Sequence, residues 1–440
     1  MVASKLVAVL SPCALALAVA VTTGCTPSEG TVAQAADCST AGQNEFLFNL
    51  MKDVYLWYDG VPDLDLQSYP SPEALLEDLV DKGRDRWSYI TPKSDYEAYF
   101  REGQTLGLGF RWSFDQEGSL RFALVHPASP AGAAGLRRGD RVLAVNDIDV
   151  EEIARDDRWA EVTGPDEEGH EISLTVERPG EEVATVAVRK AWYAVTTVLN
   201  PRVLQVGSST VGYLMLTTFI EPSAGELDRA FAAFREGQVN ELVLDLRYNG
   251  GGRLDVERHL ASLIHQPATA GALLDITAHN DRHGDWDKRA SFEELDAPAL
   301  PLSRLVVITS GGTASASETL INSLRPYIDV KLVGSTTHGK PVGMHGWDYC
   351  DKLINPISFR VLNAREEGDY YDGFTPDCPA GDTLNAELGD PDETALAEAL
   401  HLLERGECSS PAQPVGAGER RPAPPREIRW DGLRREIGAL

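Results

Sequence analysis

The chain has 440 residues, 68 acidic against 40 basic side chains for a formal charge of −28, and a 42% hydrophobic composition. This length and apolar content support two or three domains with real cores and exclude a disordered chain. The acids are scattered rather than blocked, giving a surface that repels nucleic-acid phosphates, so no nucleic-acid partner is expected.

Residues 1–24 read as an export signal, with Lys5 in a short positive region and the apolar run "CALALAVAV" ending shortly before "TTGC". The run is too short for a permanent membrane helix. Gly24 before Cys25 resembles the bacterial lipobox, which makes Cys25 the expected lipidation site and membrane anchor. The small, polar residues 25–38 suit a tether. Without the signal and Cys25, four cysteines remain. Of the three possible pairings, Cys350 with Cys378 and Cys38 with Cys408 is expected, because the latter two flank the folded body. No C-x-x-C pair or matching histidine spacing suggests zinc, and no metal is expected.

Residues 39–103 are expected to form a small helical cap. Leu47, Leu50, Met51, Val54, Trp57 and Tyr58 follow a 3.6-residue period, and Ser71 with Pro72 announces a second helix. Residues 104–192 turn to short alternating runs, "SLRFALV", "RVLAV" and "ISLTVER", separated by Gly, Pro and Asp turns, the pattern of a mainly-β module. Within it, "GLGF" at Gly107, Leu108, Gly109 and Phe110 and the stretch "SPAGAAGLRRGDRVLAVNDIDV" together resemble the PDZ domain. A glycine-rich loop of this kind exposes backbone N–H groups that can hold a peptide's terminal carboxylate while the peptide adds as a strand.

From residue 193 to 408 the pattern is strand, helix, strand: "TVGYLML", a helix led by Ser223 and Glu226 as a capping box with Leu227, Ala230, Phe231 and Phe234 on its apolar face, then "ELVLDL". "RLVVIT", "SETLINSL" and "DVKLVG" repeat it, which indicates an α/β domain with parallel strands. Residues 409–440 form a proline-rich linker and a tail whose apolar end could visit the protein's own carboxylate loop.

"GGTASASETL" places four hydroxyls, Thr313, Ser315, Ser317 and Thr319, at a strand-to-helix turn. A serine there faces a cleft, and the first N–H groups of the helix can stabilise an oxyanion. Ser315 and Ser317 project to nearly opposite sides, so only one can face a given base; Thr319 and Ser323 read as helix-surface hydroxyls. "LVLDLRYNGGG" ends a strand in glycines that let backbone approach a substrate carbonyl, but "NGGGR" lacks the lysine and hydroxyl of a phosphate loop. No G-x-S-x-G elbow surrounds Ser315, which argues against an esterase of that type.

With "VGSTTHGKPVG", which carries Lys340, these segments resemble the C-terminal processing peptidases, the tail-specific serine proteases of family S41 with a PDZ domain. The resemblance spans nearly the whole chain in order. It implies an α/β protease core of the ClpP/crotonase type with an inserted PDZ domain, a Ser-Lys dyad of Ser315 and Lys340, 25 residues apart, an oxyanion hole of Gly251 and Ala316 N–H groups, no cofactor, and protein substrates with free, apolar C-termini. Lys340 must lose its proton near neutral pH. Lowering an ordinary lysine pKa of about 10.4 to about 7 to 8 takes some 3 to 5 kcal/mol of desolvation. His338 is the rival base, read as packing. Glu318 reads as stabilising the helix start. Gly250 replaces the family's proline, and Met344 stands where the family has a lysine-orienting glutamine. Met344 feeds the alternative reading, a weak or inactive PDZ adaptor lipoprotein.

Overall fold

The computed structural model describes residues 37–409 except 268–270, 297, 298, 301, 303 and 385. The export segment, Cys25, most of the tether and nearly all of the tail lie outside the described residues.

The centre is a six-stranded sheet in the order Val198–Val206, Ser209–Leu216, Glu241–Asp245, Arg304–Thr309, Asp329–Gly334, Cys378–Pro379. The first pair is antiparallel and the rest are parallel. Alternation along the strands decides what each face covers. Leu242, Leu244, Leu305 and Val307 face one core with the crossover helices Glu221–Glu236, Leu254–Ile264 and Ala316–Leu324. Val243, Val306 and Ile308 face the other, under the last helix, Thr394–Arg405. Parallel strands joined by helices require this two-sided cover, so the strands read as unbroken apolar runs.

The predicted capping box is not formed. Pro222 lets the helix begin earlier, at Glu221, and Ser223 becomes its third residue, accepting the Ile220 N–H at 3.1 Å. Glu226 instead accepts from the Thr197 and Val198 N–H groups at 2.9 and 2.8 Å, fastening the preceding strand. The expected apolar face, Leu227, Ala230, Phe231 and Phe234, is buried.

The expected mainly-β module is a sheet in the order Phe110–Phe114, Leu120–Val125, Arg141–Val145, Glu171–Glu177, Ala184–Arg189 around its own core of Trp112, Phe122, Ile153, Trp159 and Leu174. Gln104–Gly107 pairs antiparallel with Ala191–Ala194 where the chain enters and leaves it.

In the cap, Ser71 accepts from the Ala74 N–H and Pro72 opens the helix Pro72–Leu79. The first helix, Thr40–Val54, is shorter than the periodicity implied; Trp57 is buried beyond its end and Tyr58 lies in a 3₁₀ turn. The cap's core, Leu47, Met51, Leu75, Leu79 and Trp87, is continuous with Val342, Ile354 and Ile357. The cap strand Tyr89–Pro92 also joins the Trp347–Tyr349 and Lys352–Asn355 hairpin as a three-stranded sheet.

The disulfides differ from the expected pairing: Cys38 bonds Cys350 and Cys378 bonds Cys408. Cys38 precedes the first cap helix, where Phe46 stacks on Tyr349 at 4.0 Å, so the cap seats that cysteine beside the 347–355 hairpin. Cys378 lies on the sheet's edge strand, where the end of the final helix returns Cys408.

Candidate active site

Ser315 is the N-cap of the helix Ala316–Leu324, with φ 55° and ψ −119°. A non-glycine residue in that conformation is strained and persists only when its surroundings hold it, a trait concentrated at functional sites. Gly251 supplies part of the hold. Its φ is 107°, and a Cβ there would lie 2.7 Å from Ser315 Cβ and 2.9 Å from Ala316 N, so only glycine lets the two turns meet. No backbone carbonyl among the described residues accepts from the Ala316 N–H, as expected at a helix start. The Gly251 N–H donates to Asn249 Oδ1 at 2.9 Å.

The other hydroxyls are spent on structure. Ser317 is fully buried and donates to the Asn249 carbonyl at 3.0 Å, and Thr313 donates to the Leu246 carbonyl at 2.8 Å. Thr319 and Ser323 are not on the surface as expected; both are buried, because their helix is covered on every side. Ser315 is half-buried.

Lys340 is 3% exposed. Burial pulls its amine down to about 7, against the opposing pull of the Asp85 and Glu318 carboxylates. Glu318 joins the two halves of the site. Its carboxylate accepts from the Ser315 N–H at 3.1 Å, Thr337 Oγ1 at 2.6 Å, the Gly339 N–H at 2.7 Å and the Lys340 N–H at 2.8 Å. Burial raises its pKa while these donors work the other way. Glu318 was expected only to stabilise the helix start; three of its four donors come from a loop about twenty residues on, which local spacing does not reveal.

His338 is held by its neighbours. Nε2 accepts from Trp87 Nε1 at 3.2 Å, and burial together with the nearby Arg86 and Lys340 lowers its pKa to about 4, so it is neutral at physiological pH. Met344 ends the short strand Val342–Met344 and packs against the cap's core.

The predicted carboxylate loop lies apart from these residues in the chain. Leu108 is buried in the PDZ core; its carbonyl accepts from Ala131, and the Gly109 carbonyl accepts from the His126 N–H and Ser129 Oγ. Gly109 has φ 81° and packs on Ser129 with no room for a Cβ. The strand following it, Phe110–Phe114, is an edge of its sheet, and Arg111 reaches from it to the Tyr248 carbonyl at 3.4 Å, one residue from Asn249.

Three family models match the chain: the peptidase S41 N-terminal domain over residues 42–89, a PDZ domain over 121–178, and peptidase family S41 over 210–378. A carboxyl-terminal-processing protease of Picosynechococcus is 31% identical over 242 residues, 54% of this chain and 55% of the relative; the chain thus spans about half of that protein. One from Synechocystis is 27% identical over 317 residues, 69% of this chain and 70% of the relative. Among solved structures, an S41 protease from Bacteroides fragilis superposes with a TM-score of 0.65 at 26% identity, covering 81% of this chain and 96% of the other. The chain thus carries, in order, the peptidase S41 N-terminal domain, a PDZ domain and the peptidase family S41 domain.

Proposed function

We propose that the protein is an exported serine endopeptidase that captures the C-terminal tail of a substrate protein on its PDZ domain and cuts the chain with Ser315 and Lys340. The observation that carries this reading is a lysine buried to near neutrality and tied through Glu318 to the turn of a strained, half-buried serine.

In this reading the Lys340 amine takes the Ser315 hydroxyl proton as Oγ adds to the scissile carbonyl carbon. The oxyanion is held by the N–H groups of Ala316 and Gly251, the latter exchanging Asn249 Oδ1 for substrate. The C–N bond breaks as Lys340 returns the proton to the leaving amine, giving an acyl-enzyme. Lys340 then takes a proton from water as it adds to the ester carbon, and the C–Oγ bond breaks as Lys340 returns that proton to Ser315 Oγ, releasing the acid and restoring the free hydroxyl and amine. The PDZ loop at Gly107, Leu108, Gly109 and Phe110 takes the terminal carboxylate, and an apolar tail pairs with the edge strand that follows. No cofactor enters. Lipidation at Cys25 would hold the enzyme at a membrane.

The test is cleavage of an unfolded protein with an apolar C-terminal tail, free or amidated, by wild type, Ser315→Ala and Lys340→Ala. Cleavage that both substitutions abolish and amidation slows supports the reading. Binding without cleavage supports the adaptor reading, which Met344 favours; Met344→Gln is then the next variant.

A further inference from the structure

The cap contributes more than cover. Its segment 85–88 lies along the lysine loop: Trp87 Nε1 donates to His338 Nε2 at 3.2 Å, and Arg86 donates to the His338 carbonyl at 3.3 Å. Two residues back from Trp87 is Asp85, and two residues on from His338 is Lys340. Gly339, with φ 86°, turns the chain between His338 and Lys340, and Asp85 closes the bend before Trp87 by accepting its N–H, so the Trp87–His338 contact sets the turn that holds Asp85 against the turn that holds Lys340.

Asp85 is buried and fixed by four donors. The Trp87 and Ser88 N–H groups reach Oδ1 at 2.8 and 3.0 Å; Tyr55 Oη and Ser88 Oγ reach Oδ2 at 2.9 and 2.5 Å. Ser88 Oγ in turn accepts the Ile357 N–H at 2.9 Å, so this carboxylate is braced on the protease core as well as on the cap. Asp85 and Glu318 are the two carboxylates whose charge favours the Lys340 ammonium, and His338 is the other titratable group beside it. Around Asp85 itself stand Tyr55, which also accepts the Asp81 N–H, and the neighbouring Arg84 and Arg86. Met344 packs against the cap's core, and its thioether is at most a weak acceptor.

We infer that Asp85 is a positioning residue for the proposed base, a carboxylate delivered by the N-terminal cap that orients the Lys340 amine and sets the pH at which it accepts a proton. The inference rests on the Ser315–Lys340 reading. It makes the cap part of the active site, since undocking it withdraws Asp85 and admits water to Lys340 together.

The test is the pH dependence of Ser315 labelling by a small fluorophosphonate, using the full chain. Wild type is expected to gain reactivity through about pH 7. Asp85→Asn removes a charge that favours the ammonium, so its acid limb moves to lower pH by roughly one unit, and Asp85→Glu restores it. A purely structural role lowers the amplitude and leaves the limb in place. Ser88→Ala keeps the charge but removes a donor that disperses it, moving the limb to higher pH; it serves if Asp85→Asn yields little folded protein. A limb unmoved in both folded, labelled variants overturns the inference. A wild type that takes no label at any pH overturns the Ser-Lys reading itself.

Discussion

Replacing Lys340 by methionine should remove the proposed base and stabilise the protein. Methionine keeps most of the unbranched stem and removes the amine. Bringing a lysine from 10.5 to about 7 costs about 5 kcal/mol, at 1.36 kcal/mol per pH unit. The sign follows from where protons bind. Above about pH 10.5 the amine is neutral folded or unfolded, and the penalty vanishes. As the pH falls, only the unfolded chain takes up the proton, so wild type loses stability down to about pH 7, below which the penalty is constant. At pH 7.5 this amounts to about 4 kcal/mol. The attraction of the Asp85 and Glu318 carboxylates for an ammonium counts for little there because the lysine is mostly neutral, so methionine forfeits little of it. At roughly 2 °C per kcal/mol, Lys340→Met should melt about 6 to 8 °C higher, with both disulfides oxidised, and the gap should close towards pH 10. A variant less stable than wild type at pH 7.5, or a gap that ignores pH, would mean that Lys340 is a paired ammonium and would refute the argument.

Two further substitutions separate the serine from its surroundings. Ser315→Ala should abolish fluorophosphonate labelling without lowering the melting temperature, whereas Ser317→Ala, which removes the buried donor to the Asn249 carbonyl, should cost about 1 to 2 kcal/mol in urea titration yet still label. Gly251→Ala places a methyl 2.7 Å from Ser315 Cβ at a φ of 107°. Labelling should fall about 100-fold or more with the far-ultraviolet circular dichroism unchanged, and near-normal labelling would remove Gly251 from the site.

The fold was readable because its signals are local and periodic. The strands Glu241–Asp245 and Arg304–Thr309 are apolar on both faces, and the helices between them bury a face at helical spacing. Disulfide pairing was not readable, because chain order carries no distances: Cys38 is 312 residues from Cys350 and meets it only because the cap folds back on a hairpin. The failed capping box has a similar cause. Ser223 and Glu226 fit the local pattern, but Pro222 offered an earlier helix start, and Thr197 and Val198, far back in sequence, claimed the glutamate.

The site divides along the same line. Ser315, Gly251 and Lys340 stand in glycine-rich turns at strand ends, where sequence alone marks them. The groups acting on Lys340 carry no such mark: Asp85 sits in "GRDRWSYI", and three of Glu318's four donors come from the loop at 337–340. A serine attacks only if its base is neutral, and an amine is neutral at pH 7 only where water is kept away. That exclusion depends on the cap core reaching Val342 and Ile357 across the chain, sealed by the Cys38–Cys350 bond. Burial of this kind is a sum over distant apolar side chains, so the chemistry of Lys340 is set by residues that look, one at a time, like ordinary core.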